Sequence, residues 1–328
     1  MKRFFAFLSI IIAVQVTAYS QEEPKDFTPG GKPLALIFTS FHTEFTDNSN
    51  LHAFEITRAY LGYEYRFSRE WYARVVLDAE DPRAGRHQFS AFLKNAYVQY
   101  SKGGFSAYFG MIATTQFKVS ENIWGYRYIE ESYQDLYDFN SSADLGVNIE
   151  YQFSDFISAD FSLVNGEGYR QMQSDDLLRP GAGITLTPGS NITARIYADY
   201  MGKDVKQQSL ATFIAWTGET FIAGAEYNYQ HNVDMVEGHH MYGPSLFATY
   251  LPSESLKVFG RYDRLNSSTP AGENLPWQIE DDGQMVIAGI EYNPVKGVKL
   301  APNFRLWNPE EKLSANVYSL FLNVELKF

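Results

Sequence analysis

The chain ends on NVYSLFLNVELKF, residues 316–328. Tyr318, Leu320, Leu322, Val324, Leu326 and Phe328 form one apolar row at a spacing of two. Ser319, Asn323, Glu325 and Lys327 form a mostly polar row between them, with Val317 and Phe321 as its exceptions. A period of two places successive side chains on opposite faces of a strand. A final strand with such unlike faces, ending on an aromatic residue at the free carboxylate, needs a partner on each edge. A closed membrane-spanning barrel supplies both, with apolar residues toward lipid and polar residues toward an enclosed interior. The competing reading is the last strand of a soluble sandwich, and the rest of the chain separates the two.

The same pattern recurs upstream. Ala59, Leu61, Tyr63, Tyr65 and Phe67 alternate with Arg58, Tyr60, Glu64 and Arg66. Trp71, Ala73, Val75 and Leu77 alternate with Tyr72, Arg74 and Asp78, and Ile192, Ala194, Ile196 and Ala198 alternate with Thr193, Arg195, Tyr197 and Asp199. A charged row facing an apolar row is not the pattern of strands buried on both faces. Short turns near 67–69, 101–104, 154–155, 187–191, 217–219, 252–255 and 293–297 alternate with longer polar connections near 46–52, 81–88, 113–142, 166–179, 202–207, 231–241, 264–283 and 308–315. A soluble propeller has no reason to alternate its loop lengths, whereas an outer-membrane barrel does. No repeated motif is visible. The expectation is an all-β fold: one transmembrane, antiparallel, up-and-down barrel of about 16 strands over residues 34–328. Tyr63, Tyr65, Phe67, Trp71, Tyr100, Tyr151, Phe153 and Tyr292 lie beside the short turns, where an interfacial aromatic girdle belongs.

Residues 1–20 read as a secretory signal peptide, with Lys2 and Arg3 before an apolar run and Ala18-Tyr19-Ser20 as a small-x-small cleavage site. Residues 21–33 read as a Pro/Gly-rich periplasmic leader. The chain of 328 residues holds 27 Lys+Arg against 39 Asp+Glu, and loss of the signal peptide makes its net charge of −12 two more negative. That balance argues against nucleic-acid binding. With no Cys there is no disulfide framework and no thiolate metal site. Phe and Tyr are abundant, at 25 and 23 residues, yet mean hydropathy is only −0.29; a barrel hides its apolarity by alternating it.

The atypical connection is ATTQFKVSENIWGYRYIEESYQDLYDFNSS, residues 113–142. Loops of this length are commonly functional. Ile129, Tyr133, Leu136 and Tyr137 fall on one helical face, so a short amphipathic helix is expected over 127–138. An aromatic loop of this kind needs a surface to bury against, and the inner wall is the nearest. The region from Gly110 through strand 144–153 to Val164-Asn165-Gly166-Glu167-Gly168, with AFEITRAYLGYEYRF (53–67) and LKNAYVQY (93–100), resembles the phosphate-selective porin O/P type family and its Bacteroidetes general porin relatives. The resemblance is strongest over 54–168. It implies passive transport through a wide, often trimeric barrel whose third long loop folds inward. A C-terminal Phe, here Phe328, likewise resembles the outer-membrane protein signal read by the barrel assembly machinery.

The phosphate-selective members use Arg ladders and a Lys cluster, and this sequence departs from that. Between 115 and 139, Lys118 and Arg127 face Glu121, Glu130, Glu131, Asp135 and Asp138. Fold and passive transport are therefore carried over and phosphate selectivity is not, because the sign of the charged ring sets ion preference. Lys118, Glu121, Arg127, Glu130 and Glu131 are the candidate constriction charges, with Arg58 and Arg74 on the facing wall. Arg58, Glu64, Arg66, Arg74, Arg195, Asp199, Glu226, Arg261 and Arg305 are the candidate pore-lining charges. The function expected is an outer-membrane porin for small hydrophilic solutes and ions, weakly selective or mildly cation-preferring, without chemistry or cofactor. Its expected partners are outer-membrane lipid, lipopolysaccharide and, through trimerisation, other copies of itself.

Two alternatives accompany this. One is a substrate-specific channel for phosphate or another anion, or for sugars or peptides using Tyr60, Tyr72 and Tyr197 as stacking steps. The other is a barrel hydrolase, for which the sequence offers no G-x-S-x-G. His231, Asp234, Glu237, His239 and His240 share one loop but fit no tight metal-ligand spacing, and read as a solvated loop. Asp138, Asn140, Ser142 and Asp144 mimic the start of a calcium loop, but Ala143 stands where its glycine belongs.

Overall fold

The computed structural model describes residues 27–46, 50–80, 89–312 and 314–328. The signal peptide expected at 1–20 lies outside the described residues, as does the leader up to residue 26. The strands are β1 (Gly30–Phe45), β2 (Asn50–Arg66), β3 (Trp71–Glu80), β4 (Ser90–Lys102), β5 (Phe105–Ala113), β6 (Ala143–Gln152), β7 (Ile157–Val164), β8 (Arg179–Leu186), β9 (Ile192–Gly202), β10 (Lys206–Thr217), β11 (Phe221–His231), β12 (Met241–Ser253), β13 (Leu256–Ser267), β14 (Gly283–Val295), β15 (Val298–Pro309) and β16 (Val317–Lys327). Each pairs antiparallel with the next, and β16 returns to β1, so sixteen strands form one closed barrel. The seam runs from Phe45 opposite Tyr318 to Leu36 opposite Lys327. Beyond it the backbones of Ala35 and Phe328 exchange two hydrogen bonds of 3.1 Å. Closure leaves no unpaired edge, which is what a span through hydrocarbon requires.

Alternation sorts the side chains as the sequence implies. Leu61, Ile196 and Leu320 point outward and are about half exposed, whereas Asp78 is 0% and Asn323 2% exposed on the inner face. Aromatic rings meet beside the short turns: Tyr65 and Phe67 with centroids 4.8 Å apart, Trp71 and Tyr100 at 5.1 Å, Tyr151 and Phe153 at 4.7 Å. Three boundaries differ from expectation. Strand β1 starts at Gly30, inside the segment read as leader, because its first residues pair with the end of β2 from Gly30–Arg66 onward. The β9–β10 connection, expected to be long, is only residues 203–205. The loop helix is shorter than expected and a second one precedes it, as described below.

Two bulges aim charges at the interior. Between Phe38 and Thr39 the register of β1 skips Thr57 of β2, next to Arg58. Between Val76 and Leu77 the register of β3 skips Lys94 of β4, which turns inward and is buried. An extra residue bends its strand and re-aims the neighbouring side chain.

The barrel's core lies inside it. Inward residues of β10 and β12–β15, among them Phe213, Phe247, Phe259, Met285, Ile287 and Ala301, are apolar and buried. They are covered by the connection between β5 and β6.

Candidate functional site

Residues 114–142 enter the barrel and bind its wall. Trp124, Tyr126, Tyr128 and Ile129 pack on the apolar inner patch. The Trp124 ring stands 5.4 Å from that of Phe247, and Tyr126 lies 4.6 Å from Phe259. A second cluster joins Tyr133 and Phe139 to Val233, Met241 and Leu265. Tyr133 donates its hydroxyl to the Arg264 carbonyl at 2.9 Å. It passes over Gly243, where a Cβ would collide with both the Tyr133 hydroxyl and the Arg264 carbonyl.

The loop holds two short helices, α1 (Lys118–Trp124) and α2 (Tyr133–Leu136), not the single helix expected over 127–138. Gly125, at φ 72°, ends α1 by donating its N–H to Glu121 O. From Tyr128 to Glu131 the carbonyls are taken by side chains instead of by helical amides. Asn323 donates to Tyr128 O at 3.1 Å, Arg305 to Ile129 O at 2.7 Å, Trp124 to Glu130 O at 3.0 Å and Arg261 to Glu131 O at 2.5 Å. Wall contacts therefore override the helical periodicity of 127–132.

These contacts also place the candidate charges. Arg305 binds the Glu130 carboxylate at 2.7 Å. Arg58 binds Asp78 at 2.9 Å and Glu80 at 3.3 Å on the wall, and Glu131 at 2.5 Å on the loop. Arg127 pairs with Glu121 and Asp135, reaches Glu131 at 3.4 Å and donates to the Tyr60 hydroxyl at 3.4 Å. Glu121, Arg127, Glu130, Glu131, Arg58 and Arg305 thus converge. Lys118 stands apart, 3.2 Å from Glu150. Burial works against ionisation of Asp135, yet Arg127, with Lys94 and Arg58 behind it, holds its carboxyl below the ordinary range. Burial, and then Asp135, push the Glu131 carboxyl up, against the pull of Arg58 and Arg127.

The remaining candidates fall into two groups. Arg195, Asp199, Glu226 and Arg261 face inward but are buried beneath the loop. Arg195 pairs with Asp160 and donates to Thr115 O at 3.0 Å; Asp199 receives Arg179, which donates to Asn140 and to Phe139 O. Glu226 accepts from Gln134 at 3.2 Å, and Arg261 is clamped on Asp263 at 2.6 Å. Glu64, Arg66 and Arg74 lie at the short-turn end. Glu64 accepts from Tyr72 at 2.5 Å and pairs with Lys32 at 3.1 Å; Arg66 lies over the Tyr72 ring; Arg74 stands opposite Glu64 in register. Tyr60 and Tyr197 are buried, at 7% and 3% exposure, and present no free ring face.

A second connection also turns inward, and sequence reading missed it. In 165–178, Tyr169 donates to Asp78 at 3.2 Å, Arg170 pairs with Glu80, and Lys94 sits 4.5 Å over the Tyr169 ring. Lys94 also pairs with Asp78 at 3.5 Å and donates to Ser142 at 2.7 Å, tying both connections to the wall. Gly166 and Gly168, at φ 113° and 80°, make the turn. Glycines on either side of Glu167, followed by an aromatic and a base, were the available signal.

On the long-loop side of 114–142 lies a cavity of about 950 Å³, bounded by β1, β2, β15, β16 and loop residues 127–131. A recess of about 510 Å³ adjoins it, and Arg58, Glu131, Asp135, Asp138 and Arg170 line both. Around the larger space, among the described residues, seven carboxylates face four arginines. No described group of three or more His, Cys, Asp or Glu is placed to hold a metal. His231 and His240 stack on each other at 4.3 Å, and His239 on Trp277 at 4.5 Å. Asp144 accepts the Leu145 and Gly166 amides, each at 2.7 Å.

No family model matches the chain, and no curated protein matches it. Solved structures do. OprB of Pseudomonas putida superposes with a TM-score of 0.71 at 7% identity, over 91% of this chain and 94% of that one. The anion-selective porin of Comamonas acidovorans gives 0.68 at 9% identity, over 92% and 100%. The trimer form of OmpT, an outer-membrane protein of Vibrio cholerae, gives 0.60 at 12%, over 91% and 100%. At such identities the likeness is one of fold.

Proposed function

We propose that the chain is an outer-membrane porin through which small hydrophilic solutes and ions diffuse passively, narrowed where 114–142 meets the β1–β3 wall. One observation carries this reading: a long loop fixed inside a closed barrel, beside a polar cavity whose floor is the Arg58–Glu131 contact. The outward apolar rows and the interfacial rings supply the lipid-facing surface. The secretory start of the sequence supports export, and the exposed Phe328 side chain on the closing strand fits recognition during barrel assembly. A trimer is proposed on fold likeness to OmpT in its trimer form.

Permeation is set by the sign of fixed charge at the narrowest point. Every constriction guanidinium already faces a carboxylate, and carboxylates are in excess around the cavity. Among the described residues no bare cationic ladder remains to hold phosphate, so the porin is mildly cation-preferring. The test is the zero-current potential of the purified protein in a planar bilayer across a potassium chloride gradient. A small potential of the cation-selective sign is expected; a strong anion-selective potential overturns the reading.

A further inference from the structure

We propose that the short-turn end of the interior carries a saccharide-binding track built from Tyr72, Tyr97 and Tyr108. Its role as a step in permeation rests on the passage proposed above. The three residues stand on the inner face of neighbouring strands β3, β4 and β5. Ring centroids are 6.3 Å apart from Tyr72 to Tyr97 and 5.8 Å from Tyr97 to Tyr108. Each is half-buried, so the rings meet the interior, unlike Tyr60 and Tyr197.

The ends of the row are fixed. Tyr72 donates its hydroxyl to Glu64 at 2.5 Å, and Tyr108 donates to Glu150 at 3.3 Å. Polar side chains interleave with the rings: Gln99 pairs in register with both Tyr72 and Tyr108, Arg74 with Tyr97, and Asn148 with Tyr108. Aromatic surface with a few placed amide, carboxylate and guanidinium groups is how a site holds an amphipathic ligand. A pyranose matches it, with C–H faces for the rings and hydroxyl edges for the polar groups. An organic cation matches less well. Glu64 and Glu150 already carry Lys32 at 3.1 Å and Lys118 at 3.2 Å, and Arg66 and Lys118 lie over the outer two rings.

The test titrates maltotriose into the detergent-purified full chain by calorimetry, alongside its Tyr97→Ala, Tyr72→Ala and Tyr97→Phe variants. Saturable binding is expected, weakened about tenfold by either alanine and kept within about twofold by Tyr97→Phe, which retains the ring. Absence of saturable heat overturns the track. So does unchanged affinity in both alanine variants, or a Tyr97→Phe as weak as Tyr97→Ala. Potassium chloride conductance of the same preparation separates the two readings. Conductance without maltotriose binding removes the track alone; binding without conductance removes the passage and keeps the site.

Discussion

Arg58 is shared between the wall and the loop, so in the proposed passage it governs the electrostatics of the constriction. Two of its partners, Asp78 and Glu80, are fixed in β3, and the third, Glu131, comes from the loop. Removing a wall carboxylate strands buried cations, whereas neutralising Glu131 leaves Arg58 with two partners and adds one net positive charge to the passage. Glu131→Gln is therefore expected to lower the cation-to-anion permeability ratio about twofold, read as a shift in zero-current potential. Acidification acts with the same sign. Glu131 is held above the ordinary carboxyl range and Asp135 below it. As pH falls from neutral, Glu131 loses its charge first while Arg58, Arg127 and Arg305 keep theirs. The potential should move toward anion preference before Asp135 titrates, and Glu131→Gln should remove the early part of that change. Arg58, Arg127, Glu130 and Glu131 were legible in the sequence as charges on inward rows or in the long loop. Glu80, which pairs with Arg58, and Arg170 and Tyr169, which bind Glu80 and Asp78 behind it, were not, since an ion pair between distant parts of the chain leaves no periodic trace.

The loop 114–142 behaves as an inserted core element more than as a surface connection. Its length and aromatic content were legible, and so was its need for a surface. Of its helices only α2, which lies inside the expected 127–138, was; α1 and the break between them were not. The carbonyls of Tyr128, Ile129 and Glu131 bond to wall side chains, and only the closed barrel brings Asn323, Arg305 and Arg261 to them. The apolar inner patch was equally hidden. An inward row holding Phe213 or Phe259 breaks the rule that inner rows are polar, and the reason is a loop from elsewhere in the chain. Trp124 is the anchor, nearly fully buried, with its indole donating to Glu130 O. Trp124→Ala removes a large aromatic from a packed site, at a cost of about 3–5 kcal/mol. Barrel hydrogen bonding does not depend on it, so the loss should appear as a loosened loop. Faster proteolysis within 114–142 and noisier, larger single-channel steps are expected, while strand content by circular dichroism stays unchanged.

At the scale of the molecule, the fold follows from which face of each strand is apolar. That much was readable from alternation, loop-length asymmetry and the closing strand, and the barrel of sixteen strands agrees with it. The exceptions were the start of β1 and the short β9–β10 connection, where pairing outweighed local composition. The outward assignment has its own check at Ile196, which lies in β9 with half its surface exposed. Ile196→Arg should destabilise the barrel in lipid by about 2–4 kcal/mol, measured by urea titration of folding into vesicles; a neutral result would place that face away from hydrocarbon. The proposed passage requires a water-filled lumen beside residues 114–142, which narrow it. Single-channel conductance in a planar bilayer, comparing the full chain with one in which residues 117–139 are replaced by a short Gly/Ser link, decides whether that lumen exists. Discrete ohmic steps are expected for the full chain and steps several times larger for the shortened one. A full chain that carries no current, or a shortened chain whose steps are the same size, would contradict the proposed passage.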